Sequence, residues 1–258
     1  LIAVNLYAAG DLIVEGNVGI RTTTPGAPLD VVGRIWQTGT GQSVFLGEGA
    51  GNSDDLTNNY NVFVGYGAGY SNTTGYQNFG LGWNALYSNN GNQNSGLGSY
   101  ALYSNTTGLK NSAVGSACLL ANTTGNENSA IGFNALRFNT TGSYNLSLGN
   151  ISLYRPNASN TVAVGYAAGF GVPNASHQNN VVVGYKSGYS LNTGSNNLFL
   201  GYQSGYSLAT GSNNIVIGYN TNLPATDSSS TISIGNLIYA TGLTNFASPS
   251  SSVSAGNV

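Results

Sequence analysis

A five-residue motif recurs about every seventeen residues along most of this chain. Its positions hold Asn, then an apolar residue or Ser, then a small or apolar residue, then a large aliphatic residue, and last Gly. Asn128-Ser-Ala-Ile-Gly132 is one copy, and a few copies begin with Ser or Thr. The closing glycines lie 16 to 19 residues apart, at Gly47, Gly65, Gly82, Gly98, Gly115, Gly132, Gly149, Gly165, Gly184, Gly201, Gly218 and Gly235. A period this short and regular indicates a small unit that stacks on copies of itself.

Each unit reads as two short extended pieces with turns between them. The motif is the first piece, a segment such as 84–88 is the second, and Asn105-Thr-Thr-Gly108 is a typical turn. The unit is too short for a strand, a crossover helix and a second strand, which need about 30 residues, and it lacks the 3.6-residue period of a helix. We therefore predict an all-β fold, a parallel β-solenoid of about twelve 17-residue coils. At about 4.8 Å per coil, the rod would be roughly 55 to 60 Å long.

Stacked coils would place equivalent residues in columns along the rod. The large aliphatic column is expected to form the core: Leu46, Val64, Leu81, Leu97, Val114, Ile131, Leu148, Val164, Val183, Leu200, Ile217 and Ile234. The preceding column, on the opposite strand face, is also small or apolar: Phe45, Phe63, Gly80, Gly96, Ala113, Ala130, Ser147, Ala163, Val182, Phe199, Val216 and Ser233. A strand that is apolar on both faces needs a second surface to pack against. We expect a homotrimer in which this second column faces the axis.

Asparagine occupies two recurring positions. The leading residues of the motif are expected to stack their amides into a structural hydrogen-bonded ladder, at Asn61, Asn78, Asn94, Asn111, Asn128, Asn145, Asn180, Asn197 and Asn214. Asn-Thr-Thr-Gly also recurs at 72–75, 105–108, 122–125 and 139–142. This sequence suits a type I turn with a left-handed Gly, which explains it without invoking its coincidence with the N-glycosylation sequon.

The charge content excludes several classes of partner. Only 5% of residues are charged, against about 25% in ordinary domains, and six Lys and Arg with a net charge of −2 leave no basic surface for nucleic acid.

No apolar run approaches the roughly 20 residues that span a bilayer, so we expect no membrane insertion by this segment. A single cysteine permits neither an internal disulfide nor a cysteine-based metal cluster.

The Asn-Ser-Ala-Ile-Gly units, each followed by a segment such as Asn134-Ala-Leu136, resemble the head repeats of trimeric autotransporter adhesins. The resemblance covers about residues 42–239, with a longer repeat than is usual there, and implies a left-handed parallel β-roll that assembles as a trimer at the cell surface. The segment from Gly16 to Gly33 resembles one found in phage tail-fibre and bacterial surface-fibre proteins that carry an intramolecular chaperone.

Three regions follow from these patterns: an N-terminal fibre module or connector at 1–41, the solenoid at 42–239, and a C-terminal connector at 240–258. The chain opens at Leu1 and closes on Gly256-Asn-Val258, which matches the opening of the segment at Gly16. We expect a fragment or a processed product that leads into a further module.

No catalytic, cofactor or metal site is expected. Hydrolysis of polysaccharides usually needs paired carboxylates, and Glu127 is the only acid between 56 and 226, while Asp54 and Asp55 suit a solvated turn. His177 has no second ligand nearby in sequence and is expected in a surface loop. Cys118 falls in a column of small residues and is expected in the core.

An aromatic column recurs two residues after the column of small residues that holds Cys118. Its rings are expected to stack as a ladder that stabilises the rod. A platform for sugar rings is the alternative interpretation. Its tyrosines are Tyr70, Tyr87, Tyr103, Tyr154, Tyr189 and Tyr206, with Phe170 in the same column.

These features predict a noncatalytic, extracellular fibre, the head or stalk of a surface adhesin. Its partners would be copies of itself, with a host-surface glycan or protein as a possible ligand class. The first alternative is a phage tail-fibre shaft. The second is a self-assembling extracellular filament whose subunits join through strands at Leu1–Tyr7 and Leu237–Leu243, and an enzyme comes third.

Overall fold

The computed structural model describes residues 18–20, 29–31, 42–57, 59–235 and 238–240, the short flanking strands by their backbone alone. The chain divides into two compact units, Leu1–Thr38 and Gly39–Val258. The proposed joining strand at 1–7, the C-terminal connector beyond Ala240, and the closing Gly256–Val258 lie outside the described residues.

Fifteen strands of three residues each make up the regular structure of the described residues. In the first unit, β1 (Val18–Ile20) and β2 (Leu29–Val31) form a parallel pair. In the second unit the strands are β3 (Val44–Leu46), β4 (Val62–Val64), β5 (Phe79–Leu81), β6 (Ser95–Leu97), β7 (Ser112–Val114), β8 (Ser129–Ile131), β9 (Leu146–Leu148), β10 (Val162–Val164), β11 (Val181–Val183), β12 (Leu198–Leu200), β13 (Ile215–Ile217), β14 (Ile232–Ile234) and β15 (Ile238–Ala240).

The second unit is a parallel β-solenoid, as the repeat predicts. Strands β3 to β14 lie side by side in chain order, and each pairs in parallel with the next, so the described residues form about eleven turns. The middle residues of the motif align directly, as in the pairing of Gly80 with Gly96 and of Ala113 with Ala130. The motif is therefore in vertical register along the whole sheet. At the C-terminal edge, β15 pairs antiparallel with β14.

The second leg of each coil is not a strand, so the prediction of two extended pieces per coil is wrong. Residues two and four positions after the closing glycine are left-handed, for example Leu102 (φ 53°) and Leu119 (φ 51°). A left-handed residue at every second position cannot belong to a β-strand. The coils nevertheless bond to one another here, since the Leu86 N–H donates to the Ala101 carbonyl at 2.9 Å.

The two strand faces are the reverse of the prediction. In every strand from β4 to β14 the middle residue is buried and its two neighbours are partly or fully exposed. Phe63 and Phe199, predicted at an intermolecular axis, have no exposed surface in the single chain. Leu46 and Ile131, predicted in the core, are 53% and 48% exposed. The core thus contains the column of small and aromatic residues.

The second leg explains why that column lies inside. Four residues after the closing glycine, the chain carries Leu in five of the six coils whose middle strand residue is small, and Gly in all three coils where that residue is Phe. The exception is the coil of Ala163, which has Gly there. Gly80 precedes Leu86, whereas Phe63 precedes Gly69, and a Cβ on Gly69 would strike the Phe63 ring. In these coils the two columns therefore contact one another in a narrow interior, and the close packing of protein cores requires such complementarity in size.

The recurring glycines answer two different constraints. Closing glycines such as Gly115 (φ 133°) have a backbone conformation that only glycine readily adopts. The turn glycines, by contrast, are not left-handed, so the prediction of a left-handed Gly in these turns is wrong. Gly108 is required because a Cβ there would crowd the Gly125 carbonyl of the next coil. The left-handed residue of this corner comes two positions later, at Lys110 (φ 55°).

The described residues contain neither α-helix nor any helix long and apolar enough to cross a membrane. Low helix propensity agrees with this, since Gly and Asn are poor helix formers.

Candidate binding surfaces

The outer face of the sheet, formed by the first and third residues of β3 to β14, is a long apolar surface. The third residues are the twelve aliphatic side chains once expected inside, and the first residues are apolar except for Ser95, Ser112 and Ser129. Leu81, Val114 and Leu200 are each at least 40% exposed. None of the 24 side chains on this face is charged. Because a strand face alternates with period two, burying the middle residue directs both neighbours outward.

The leading asparagines lie stacked and buried along the rod. The Asn94 Oδ1 accepts the Asn111 backbone N–H at 2.9 Å, and the Asn111 Nδ2 donates to the Gly125 carbonyl at 2.8 Å. The same contacts recur from coil to coil, as in Asn214 on Asn197. Each amide thereby satisfies a backbone donor of the next coil and a turn carbonyl, so the column is structural.

A second, parallel asparagine ladder runs through the turns. The Asn105 Nδ2 donates to the Asn89 Oδ1 at 2.6 Å, and the Asn122 Nδ2 donates to the Asn105 Oδ1 at 2.7 Å. Asn105 and Asn122 are asparagines of the sequons, and they have no exposed surface. A buried amide is inaccessible to a glycosyltransferase in the folded chain. Sequence reasoning assigned them to turn formation alone; the signal for a ladder was their strict 16- to 17-residue spacing.

Asp54 terminates both ladders at the first coil. Its Oδ2 accepts from the Asn61 Nδ2 at 3.0 Å and from the Asn72 Nδ2 at 3.3 Å. The neighbouring Asp55 accepts the Thr57 backbone N–H, and this hydrogen bond lowers the pKa of Asp55 below its ordinary value. Both carboxylates are therefore engaged in shaping the loop.

The predicted aromatic column forms two separate stacks. Tyr70, Tyr87 and Tyr103 stack with ring centroids 5.1 Å apart. Tyr154, Phe170, Tyr189 and Tyr206 form the second stack, with centroids 4.8 to 5.1 Å apart. Within each stack the ring faces cover one another. A sugar ring stacks on an open aromatic face, so only the ends of the stacks offer one.

A second aromatic column follows the closing glycine directly, and sequence reasoning missed it. Tyr166, Tyr185, Tyr202 and Tyr219 stack at 5.0 to 5.4 Å and are 40% to 75% exposed. The signal was present in the sequence, because an aromatic residue follows the closing glycine in four consecutive coils. Lys186 lies over the Tyr185 ring at 5.3 Å.

His177 is fully buried, so its prediction as a surface-loop residue is wrong. It occupies the column that holds the turn glycine in most coils, and its Nδ1 lies 3.2 Å from the Asn180 Nδ2. Its Nε2 has no hydrogen-bond partner in the described chain. Burial lowers the pKa of His177 to about 4, so the imidazole is neutral at physiological pH. A histidine in a loop of polar residues gives no sequence signal of burial.

Cys118 lies in the core, as its column predicts, and its Sγ donates to the Ala130 carbonyl at 3.3 Å. Burial raises the pKa of the thiol to about 12, which suppresses the thiolate needed for nucleophilic attack. Glu127 is exposed and lies 3.9 Å from Lys110. The described residues contain no group of three or more His, Cys, Asp or Glu side chains placed to bind a metal ion.

Comparison of the chain with protein-family models, with curated proteins and with solved structures finds no match.

Proposed function

We propose that this chain is a noncatalytic, extracellular structural fibre, the head or stalk of a surface adhesin, and that it works as a homotrimer joined through the outer sheet face. The uncharged aliphatic surface of β3 to β14 is the observation that carries this proposal.

The extent of the face supports association. Twelve strands at about 4.8 Å and three residues at about 3.3 Å give roughly 55 to 60 Å by 10 Å, or about 550 to 600 Å² in projection. Monomeric proteins seldom expose a larger apolar patch. Two such faces bring together at least about 1,000 Å², the size at which a specific interface becomes stable. With no charged side chain on it, the face fits another apolar surface rather than a polar ligand.

A second copy of the same chain is the natural occupant. Equivalent coils of parallel rods meet at the same height, so every rung of one face finds an equally apolar rung on its neighbour. In a closed symmetric oligomer, the outer sheet face of every chain is covered by its neighbours. The resemblance to trimeric adhesin head repeats favours three copies over two.

The proposed action is mechanical. Backbone hydrogen bonds connect each coil to the next, and the two asparagine ladders add further bonds over part of the rod, which makes a stiff spacer. Identical surface features repeated along three chains would bind a host glycan or protein by multivalent contact. The shaft of a phage tail fibre would use the same physics.

The filament alternative meets a structural obstacle at one end. Its proposed joining strand includes residues 238–240, and these already pair with β14 of the same chain. Joining subunits there would first require β15 to leave that edge.

Light scattering on the purified, nondenatured chain tests the assembly. We expect a mass of three chains, about 79 kDa from a chain mass of 26.4 kDa. A stable monomer at micromolar concentration would contradict the proposal, and polymers of indefinite length would favour the filament.

A further inference from the structure

The solenoid has one strongly irregular coil among those described, and it borders a cleft. The spacing between Gly165 and Gly184 is 19 residues, the longest in the series. The loop Pro173–Ser176 lies within this coil and forms one wall of a cleft of about 700 Å³. That volume is within the range of ordinary ligand sites.

Two residues project into this cleft from a column that is small in most coils. Six residues after the closing glycine, the two coils beside the cleft have Phe138 and Arg155, and the last has Pro224. Eight other described coils have Ser, Ala or Gly there, at Ser53, Ser71, Ser88, Ser104, Ala121, Gly171, Ser190 and Ser207. Phe138 and Arg155 both line the cleft together with Tyr154. Phe138 is 44% exposed and lies edge-on to Tyr154 at 5.2 Å. The cleft therefore has an aromatic wall.

Arg155 gives the cleft a positive charge that the protein does not neutralise. Its guanidinium lies 5.1 Å from the centre of the Phe170 ring, and no carboxylate of the described residues is within salt-bridge distance of it. Arginine binds carboxylates through two parallel hydrogen bonds. In a chain with so few charges, an unpaired arginine in a cleft is a strong recognition element.

The second asparagine ladder, the one that runs through the turns, ends beside this cleft. Pro156 occupies the position where the next ladder asparagine would lie, and the buried Asn139 Oδ1 has no partner. Asn139 is flanked in sequence by the cleft residues Phe138 and Thr140. The exposed Asn174 and Ser176 supply amide and hydroxyl groups to the lining of the cleft. The break in the repeat thus accompanies a cleft with both polar and aromatic lining residues.

We infer that this cleft binds a short oligosaccharide that carries a carboxylate. A pyranose ring has an apolar C–H face for Phe138 and Tyr154, hydroxyls for Asn174 and Ser176, and, when it is a uronic acid, a carboxylate for Arg155. None of these residues belongs to the outer sheet face. The site is therefore complete in one chain and does not depend on the proposed trimer.

Calorimetric titration of the full chain tests the cleft, with trigalacturonic acid as the probe. Galactotriose serves as the neutral sugar and triglutamate as the acidic peptide. We expect one trigalacturonate per chain and markedly weaker binding of the other two. Phe138→Ala and Arg155→Ser should each weaken binding roughly tenfold or more, the size of a lost charged or aromatic contact. Both changes introduce residues that the same column carries elsewhere, so the coil should fold normally.

Lys186→Ala is the matched control, since it removes another half-buried cation that lies over aromatic rings outside the cleft. It should leave binding unchanged. The inference is overturned if trigalacturonate does not bind at millimolar concentration, if the control weakens binding as much as Arg155→Ser does, or if the neutral sugar or the peptide binds equally well. Light scattering on the same samples reports separately on the trimer, so either proposal can fail alone.

Discussion

His177 is a titratable side chain in the buried interior of the solenoid. Its folded-state pKa of about 4 is below the ordinary 6.5 because burial disfavours the charged ring. The unfolded chain therefore binds this proton more tightly than the folded chain does. The stabilisation by the neutral ring is complete above pH 6.5 and is lost as the pH falls toward 4.

We predict that the chain loses up to about 3 kcal/mol of unfolding free energy between pH 7 and 4 through this one residue. Urea unfolding at several pH values measures the loss, and His177→Gln should show a smaller one because its side chain does not titrate. Carboxylates contribute equally to both proteins, so the difference between the two curves isolates the histidine. Parallel curves would contradict a buried neutral imidazole.

Gly115 represents the closing column, where backbone conformation and coil spacing both exclude a side chain. Its φ is 133°, and a Cβ would lie 2.5 Å from the Gly132 carbonyl oxygen. We predict that Gly115→Ala lowers the free energy of unfolding by about 3 kcal/mol or more, since strain and overpacking add. Chemical denaturation measures the change. The exposed neighbour provides the control, and Ser116→Ala should change stability by less than about 0.5 kcal/mol.

Residue roles were predictable from sequence where a column repeats and unpredictable where the column is broken. Cys118 shares its column with alanines, so its burial followed from the pattern. His177 replaces a glycine in the one coil whose length differs most, and nothing in its neighbours distinguishes a buried ring from an exposed one. Phe138 and Arg155 likewise depart from their column. A departure marks an unusual site, but only the structure shows that the two border one cleft.

At the scale of the strand, period-two alternation separates the two faces but does not say which is inside. The regular aliphatic column was assigned to the core because it is invariant among the repeats. The decisive information was in the second leg, where Leu102 accompanies Gly96 and Gly205 accompanies Phe199. Reciprocal sizes in two columns indicate that they touch. An extended second leg, as predicted, would not by itself indicate that these two columns touch.

This complementarity predicts a compensating pair of substitutions at one coil. Phe63→Ala removes a fully buried ring and should cost about 3 to 5 kcal/mol. Gly69→Leu places a side chain where the ring lies and should cost about 2 kcal/mol or more. Leucine suits the left-handed backbone there, because Leu86 adopts it at the equivalent position. The double variant should be more stable than Phe63→Ala alone.

A double-mutant cycle from denaturant unfolding measures this coupling. Should Gly69→Leu fail to fold alone, recovery of folding by the added Phe63→Ala gives the same answer. Phe63→Ala combined with Gly205→Leu is the control, because Gly205 contacts Phe199 in a distant coil. That pair should be additive. Additivity in the first pair too would mean that the two columns do not share the interior.

For the whole molecule, exchanging the two strand faces leaves the inference of self-association intact. A strand that is apolar on both faces leaves one of them uncovered whichever enters the core. The sequence therefore predicts the solenoid and the need for a second surface. Which of the two strand columns is exposed depends on the path of the second leg, and only the structure shows that path. Hydrophobic area drives the proposed association, so a charge placed on that area should oppose it.

Ile131→Lys tests this at the middle of the outer face, where the side chain is 48% exposed. In a closed trimer three ammonium groups would meet at one level, and burying like charges without partners is strongly unfavourable. We predict a shift from trimer to monomer in sedimentation velocity. The circular dichroism should be unchanged, because Ile131 contributes nothing to the coil core. Tyr144→Lys is the control, since Tyr144 is 58% exposed but lies outside the three-residue strands. An unchanged mass for Ile131→Lys, or equal dissociation by both variants, would show that the chains do not associate through this face.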